Sequence, residues 1–211
     1  YMYCNTEPVG SFQNLLIVAD GMGGHRAGDY ASRLCVETMV QSLEKSAHKT
    51  PVSLFEEAVT AANKAVFEES ASHVEYEGMG TTVVACTLEE NTLYIANIGD
   101  SRLYLIRDGI EQITDDHSLV EEMVKQGNIT ESEARIHPQK NIITRALGIN
   151  EEVQADFFEI DVEQGDVIML CSDGLSNMIE DEDMEYIVKN SDTLQTAAES
   201  AGRVGKGGKS G

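Results

Sequence analysis

Bases are scarce in this chain, with 15 lysines and arginines against 37 aspartates and glutamates over 211 residues, a formal charge of -22. So acidic a protein repels phosphate backbones and anionic bilayers, which argues against nucleic acid and membrane surfaces as partners. Long apolar runs are also missing: nothing approaches the roughly 18 residues of a membrane-spanning helix. No secretory signal heads the chain, so the expected compartment is the cytoplasm. The sequence opens at Tyr1 without a Met, and the expectation is of a fragment. The four cysteines, Cys4, Cys35, Cys86 and Cys171, lack metal-binding spacing, and three of them sit in apolar runs. They read as free, buried thiols of a reducing compartment. With 41% hydrophobic and 25% charged residues, the chain has the composition of an ordinary globular domain, and its length suits a single core.

What the sequence does have is one organising stretch, Leu15 to Gly28, LLIVADGMGGHRAG. Leu15 to Val18 reads as a buried strand that delivers Asp20 into a turn loosened by glycines. Those glycines would let the backbone approach a ligand closely. The device recurs where Tyr94 to Ile98 meets Gly99-Asp100-Ser101-Arg102, and where Val167 to Cys171 meets Ser172-Asp173-Gly174. Three apolar strands, each ending in an Asp flanked by small residues, form the pattern of a hard-cation site assembled from distant parts of a chain. Carboxylates gathered at one sheet edge repel each other unless cations neutralise them. Oxygen-only ligation favours Mg²⁺ or Mn²⁺ over Zn²⁺. The alternating acids of an EF-hand calcium loop are absent.

Along the chain, Tyr1 to Phe12 reads as a strand end and loop, followed after Leu15 to Val18 by a helix beyond Gly28 with Ala31, Leu34, Cys35, Thr38, Met39 and Leu43 on one face. Ser53-x-x-Glu56 suggests a capping box opening a second helix to about Ser70. Thr81 to Leu88, Thr92 to Ile98, Leu103 to Ile106 and Ile110 to Ile113 then read as an antiparallel meander, with Asp108-Gly109 as a hairpin turn of positive φ. Residues 115–147 have the short helices and loops of a flap, with helices at Ser118 to Gln126 and from the Thr130-x-x-Glu133 box to His137-Pro138. Strands at Val153 to Ile160 and Val167 to Cys171 precede acidic helices at Asp183 to Lys189 and Thr193 to Ala201. Strands and helices segregated in blocks argue for an α+β layered domain. Residues 202–211 carry three bases and no acid, and they read as a Gly/Lys-rich tail or linker outside a domain of residues 1–201. This tail does not meet the Walker A pattern, because Arg203 stands where its first Gly must fall. His25, His117 and His137 read as hydrogen-bonded structural histidines, with ligand or proton carrier as the alternative.

Seven motifs stand in order: Val18-Ala19-Asp20-Gly21-Met22-Gly23-Gly24-His25, Gly78-Met79-Gly80-Thr81-Thr82, Asn97-Ile98-Gly99-Asp100-Ser101-Arg102, Asp116-His117-Ser118-Leu119-Val120, His137-Pro138, Arg145-Ala146-Leu147-Gly148 and Ser172-Asp173-Gly174. Through them the chain resembles the metal-dependent Ser/Thr protein phosphatases of the PPM family (type 2C), of the bacterial kind, from about Leu15 to Ala201. The resemblance implies an α+β fold in which two antiparallel β-sheets pack as a sandwich with helices on both outer faces. It implies two Mn²⁺ or Mg²⁺ ions, with a weaker third. Asp20 matches the bridging ligand, the Gly21 carbonyl a ligand of one ion, Asp173 a ligand of the other, and Asp100 the third-metal ligand. The implied reaction is attack of metal-bound hydroxide on phosphoserine or phosphothreonine of proteins phosphorylated by a cognate kinase.

The resemblance also implies an Arg for the phosphate and a metal ligand before Leu15, and a Gly-Gly-x-Asp-Asn motif near the end; neither is found in this sequence. Met22 stands where many eukaryotic members have a His. The expectation is therefore that the chain as it stands has little activity and self-associates through unpaired edge strands. A non-catalytic metal-binding regulatory or interaction module of the same fold is the alternative.

Overall fold

A computed structural model describes residues 1–205. In chain order the strands are β1 (Met2–Asn5), β2 (Leu15–Val18), β3 (Gly21–Met22), β4 (Gly80–Thr81), β5 (Val83–Glu89), β6 (Thr92–Ile98), β7 (Arg102–Ile106), β8 (Ile110–Gln112), β9 (Asp156–Asp161) and β10 (Val167–Cys171). The helices are α1 (His25–Lys45), α2 (Pro51–Ser72), α3 (Leu119–Lys125), α4 (Glu131–Ile136), α5 (Asp173–Ser176), α6 (Asp181–Lys189) and α7 (Leu194–Gly205).

Two antiparallel sheets carry the fold, one ordered β1-β2-β5-β6-β9 and the other β10-β7-β8. The strand period of two explains the layers. In β2, Leu15 and Ile17 face α1 and α2 while Leu16 and Val18 face the second sheet; in β5, Val83 and Ala85 divide from Val84 and Cys86 in the same way. Strands covered on both sides must be apolar at every position, which is why these segments read as unbroken runs. A third cluster, built on Tyr104, Cys171, Ile179 and Met184, packs α5 and α6 under the second sheet. The result is the sandwich with helices outside both sheets that the sequence implies. Cys35, Cys86 and Cys171 are buried, and burial pushes each thiol up to about 12; Cys4 is exposed, and all four are free.

Several local expectations are corrected. The four strands from β5 to β8 are not one meander: β5 pairs with β6, β7 pairs with β8, and the Gly99-Asp100-Ser101 link carries the chain between sheets. A short link looks the same in sequence whether it folds a hairpin or crosses a sandwich. The β7-β8 hairpin forms, but positive φ falls at Glu90 in the preceding turn and not at Asp108 or Gly109. α2 opens at Thr50, whose hydroxyl accepts from the Ser53 N–H, with Pro51 as the first helical residue. Proline suits that position because its missing N–H is one the helix leaves unpaired anyway. α1 begins at His25, ahead of Gly28. α7 runs to Gly205, inside the stretch read as tail; residues 206–211 of that stretch lie outside the described residues. The Thr130/Glu133 capping box is present with both reciprocal bonds.

One buried polar side chain ties the flap's exit to the helical layer. Asn63 of α2 donates to the carbonyls of Asn150 and Glu151 at 3.0 and 2.9 Å and accepts from the Gly148 N–H at 2.7 Å. Asn63→Ala strands all three groups, and a loss of roughly 2–4 kcal/mol is expected in urea unfolding. A loss below about 0.5 kcal/mol would show that water replaces the amide.

Candidate metal centre

Asp20 sits just past β2, in a backbone held on both sides. Its N–H donates to Thr82 Oγ1 at 3.0 Å, and its carbonyl accepts from the Thr82 N–H and from Thr81 Oγ1, each at 2.9 Å. Thr82 lies in the break between β4 and β5, where the ladder lapses and frees these groups. Its hydroxyl also meets Ser101 Oγ at 2.7 Å, so the strand end bearing Asp20 is joined to the link bearing Asp100. Gly99 has φ of +101°, and a Cβ there would lie 2.6 Å from Thr82 Cγ2. Only glycine fits. Asp173 opens α5 directly after β10 and accepts from Asn177 Nδ2 at 3.1 Å.

These placements gather the residues nominated from sequence. Asp20, Gly21, Asp100 and Asp173 line one cavity of about 160 Å³, together with Met22, Thr82 and Ile143. Ile143 brings the flap to its rim. The glycines of the organising stretch act differently from expectation, since a Cβ on Gly21 would strike the Gly28 carbonyl oxygen at 1.8 Å. Their smallness seats β3 against α1. His25 and His137 lie at a helix start and a helix end and do not line the cavity. Thr81, Thr82 and Ser101 are the contributors that strand-end reasoning passes over, although both threonines stand in a quoted motif.

The electrostatics are those of crowded anions. Burial first, then the charges of Asp173, Asp116 and Asp20, push the Asp100 carboxyl up to about 7. Asp173 is raised by burial, then by the charge of Asp20 and a hydrogen bond shared with it. Among the described residues no basic side chain lines the cavity. A set of carboxylates in a partly buried pocket fits a hard divalent cation in kind. In number the set is lean. Among the described residues no three His, Cys, Asp or Glu side chains form a group that could hold a metal ion, and Asp20, Asp100 and Asp173 are the carboxylates that line the cavity.

Beside the cavity, the flap's root is built from charged pairs. His117 is buried, and burial lowers its imidazole below the ordinary value. Asp156 is pushed up by burial, but the hydrogen bonds from His117 and Arg145 outweigh this and hold it below the usual carboxylate range. Asp116 grips Arg102 through bonds of 2.7 to 3.1 Å. Arg135 of α4 reaches Glu180 at 2.7 Å, tying the flap to the segment before α6.

Because folding raises Asp100 above its unfolded value near 4, the stability it contributes is fully present below about pH 4 and is lost as pH rises through about 7. Asp100→Asn removes that loss. In metal-free buffer the variant should gain on the parent between pH 5 and pH 8, by on the order of 2 kcal/mol. Thermal melts at the two pH values would contradict the assignment if the difference between the proteins stayed constant.

Comparison with known proteins gives the family and the fold. Residues 8–204 match the family model described as Protein phosphatase 2C. The serine/threonine phosphatase Stp of Listeria monocytogenes is 39% identical over 205 residues, spanning 92% of this chain and 81% of that protein. The crystal structure of Stp1 from Staphylococcus aureus superposes with a TM-score of 0.88 at 31% identity, covering 99% of this chain and 82% of that one. The catalytic domain of the phosphatase PstP, solved in complex with two manganese ions, gives 0.84 at 32% identity, covering 99% and 84%. By sequence and by fold, the chain belongs to the protein phosphatase 2C family and is by class a serine/threonine protein phosphatase.

Proposed function

We propose that the chain hydrolyses phosphoserine and phosphothreonine in proteins by a two-metal mechanism, with Asp20, the Gly21 carbonyl and Asp173 holding the principal Mn²⁺ or Mg²⁺ ions and Asp100 serving a weaker third. The observation that carries this reading is the convergence of those four residues on one cavity. When bound, the ions would offset the carboxylate charge, polarise the phosphoryl oxygens and acidify a water. Asp20 and Asp173 would supply carboxylate oxygens to the cations. Thr81 and Thr82 hold the Asp20 backbone, so its carboxylate is aimed before the cation arrives. Ile143 and Met22 form the apolar part of the wall and exclude water from one side of the cavity.

The proposed substrates are proteins phosphorylated by a cognate Ser/Thr kinase, in a signalling role. The acidic surface and free thiols support a cytoplasmic setting, and among the described residues no helix is long and apolar enough to cross a membrane. Self-association would use the outer edges of β9 and β10, each of which pairs on one side only among the described residues. The second reading, a metal-binding module without catalysis, is favoured by one observation: the cavity has no basic side chain among the described residues to meet a phosphate.

Two measurements separate these readings. Calorimetric titration should show Mn²⁺ binding that Asp20→Ala abolishes, and unchanged affinity would remove Asp20 from the centre. Phosphate release from a phosphothreonine peptide, however slow, should depend on Mn²⁺ and fall at least about 100-fold in Asp20→Ala. Mn²⁺ binding with no release above the EDTA control would establish the module reading.

A further inference from the structure

The mechanism above leaves one buried, fully engaged side chain without a task. His117 is 6% exposed and lies where the flap leaves the second sheet. It grips Gly99 twice: its Nδ1 accepts from the Gly99 N–H at 2.9 Å, and its own N–H donates to the Gly99 carbonyl at 2.9 Å. On the far side of the ring, Nε2 meets Asp156 Oδ2 at 3.0 Å. Arg145 Nη1 lies 3.1 Å from Nε2, 2.6 Å from Asp156 Oδ1 and 3.1 Å from the Gln154 carbonyl.

These contacts fix the tautomer. A backbone N–H only donates, so Nδ1 carries no proton and Nε2 carries it. The Nε2 proton goes to Asp156, an acceptor, and Arg145 is held by Asp156 and the Gln154 carbonyl. An imidazolium would present a second donor to the Gly99 N–H, so this arrangement belongs to the neutral ring.

Gly99 is a sensitive place to hold. It has φ of +101° and is walled on its other side by Thr82, the residue that fixes the Asp20 backbone. It directly precedes Asp100, whose carboxylate is buried among other anions and is pushed away from them. A glycine turn alone resists such a push poorly, because glycine moves freely among backbone wells. One hydrogen bond to a ring anchored by an ion pair and a second from the His117 backbone N–H resist it well.

We propose that His117 is a positioning residue for Asp100: its neutral imidazole clamps the Gly99-Asp100 turn and couples it to the Asp156–Arg145 pair at the flap's exit. The proposal rests on the metal role of Asp100 for its functional consequence, while the clamp itself is independent of that role. His117→Asn and His117→Gln separate the two ends of the ring. An Asn oxygen falls near the Nδ1 position and can still accept from Gly99, whereas a Gln nitrogen falls near Nε2 and keeps only Asp156.

The test is amide hydrogen exchange at Gly99 by NMR, alongside Mn²⁺ titration calorimetry. His117→Asn should keep the Gly99 protection and the Mn²⁺ isotherm of the parent. His117→Gln should lose about tenfold or more in Gly99 protection and weaken the weaker Mn²⁺ event by a similar factor, leaving the tighter event in place. His117→Ala should match the Gln variant in both readouts, and it decides the matter if the Gln protein does not fold. Parent-like Gly99 protection in the Gln or Ala variant, or identical behaviour of Asn and Gln, overturns the clamp. Asp100→Ala is the reference. If it leaves every Mn²⁺ event unchanged, the metal role of Asp100 fails, and Gly99 exchange in the Gln and Ala variants still decides the clamp.

Discussion

Like charges held close together in a protein of falling dielectric repel strongly, and the Asp20, Asp100 and Asp173 carboxylates are so held. Each rides on a separate strand end, and each strand is locked by apolar packing on both faces, so the carboxylates cannot simply swing apart. Protonation and cation binding are the two available reliefs. Asp100 and Asp173 are both raised above the usual carboxylate range, the first relief, and a divalent ion would be the second. Neutral groups do the holding: the Thr81 and Thr82 hydroxyls on Asp20, Ser101 across the link, and His117 on Gly99. None of these adds charge to the pocket, so its field stays anionic.

The two-sheet architecture is what makes the convergence possible. β2 and β6 end in the first sheet and β10 in the second, yet their ends meet at one margin of the sandwich. The crossing from β6 to β7 occurs at Gly99-Asp100-Ser101, so the residue that faces the cavity also turns the chain between layers. The flap enters and leaves at the same margin. His117 and Thr144 pair through backbone at 2.8 Å, and Leu147 pairs with Thr81. The segment that brings Ile143 to the cavity is thereby rooted in the strands that form it.

Much of this was legible in the residues. Unbroken apolar runs gave β2, β6 and β10 within a residue of their observed ends, because a strand buried on both faces leaves no ambiguity of register. Asp after such a run, beside small residues, pointed to the cavity for Asp20, Asp100 and Asp173 alike. The division of β5 to β8 between two sheets was not legible, since pairing across a short link depends on packing that no local pattern encodes. The start of α2 was misplaced because Ser53-x-x-Glu56 imitates a box that Thr50 and Pro51 pre-empt. His117 was read as structural. Its grip on Gly99 is a long-range contact, invisible until the flap is folded against β6.

The most direct test of the metal centre is anomalous diffraction from crystals of this chain soaked in Mn²⁺. Anomalous peaks bounded by Asp20, the Gly21 carbonyl and Asp173, with a weaker one beside Asp100 at higher Mn²⁺, are the expected result. Featureless density among these carboxylates at millimolar Mn²⁺, or manganese bound only elsewhere on the acidic surface, would contradict it.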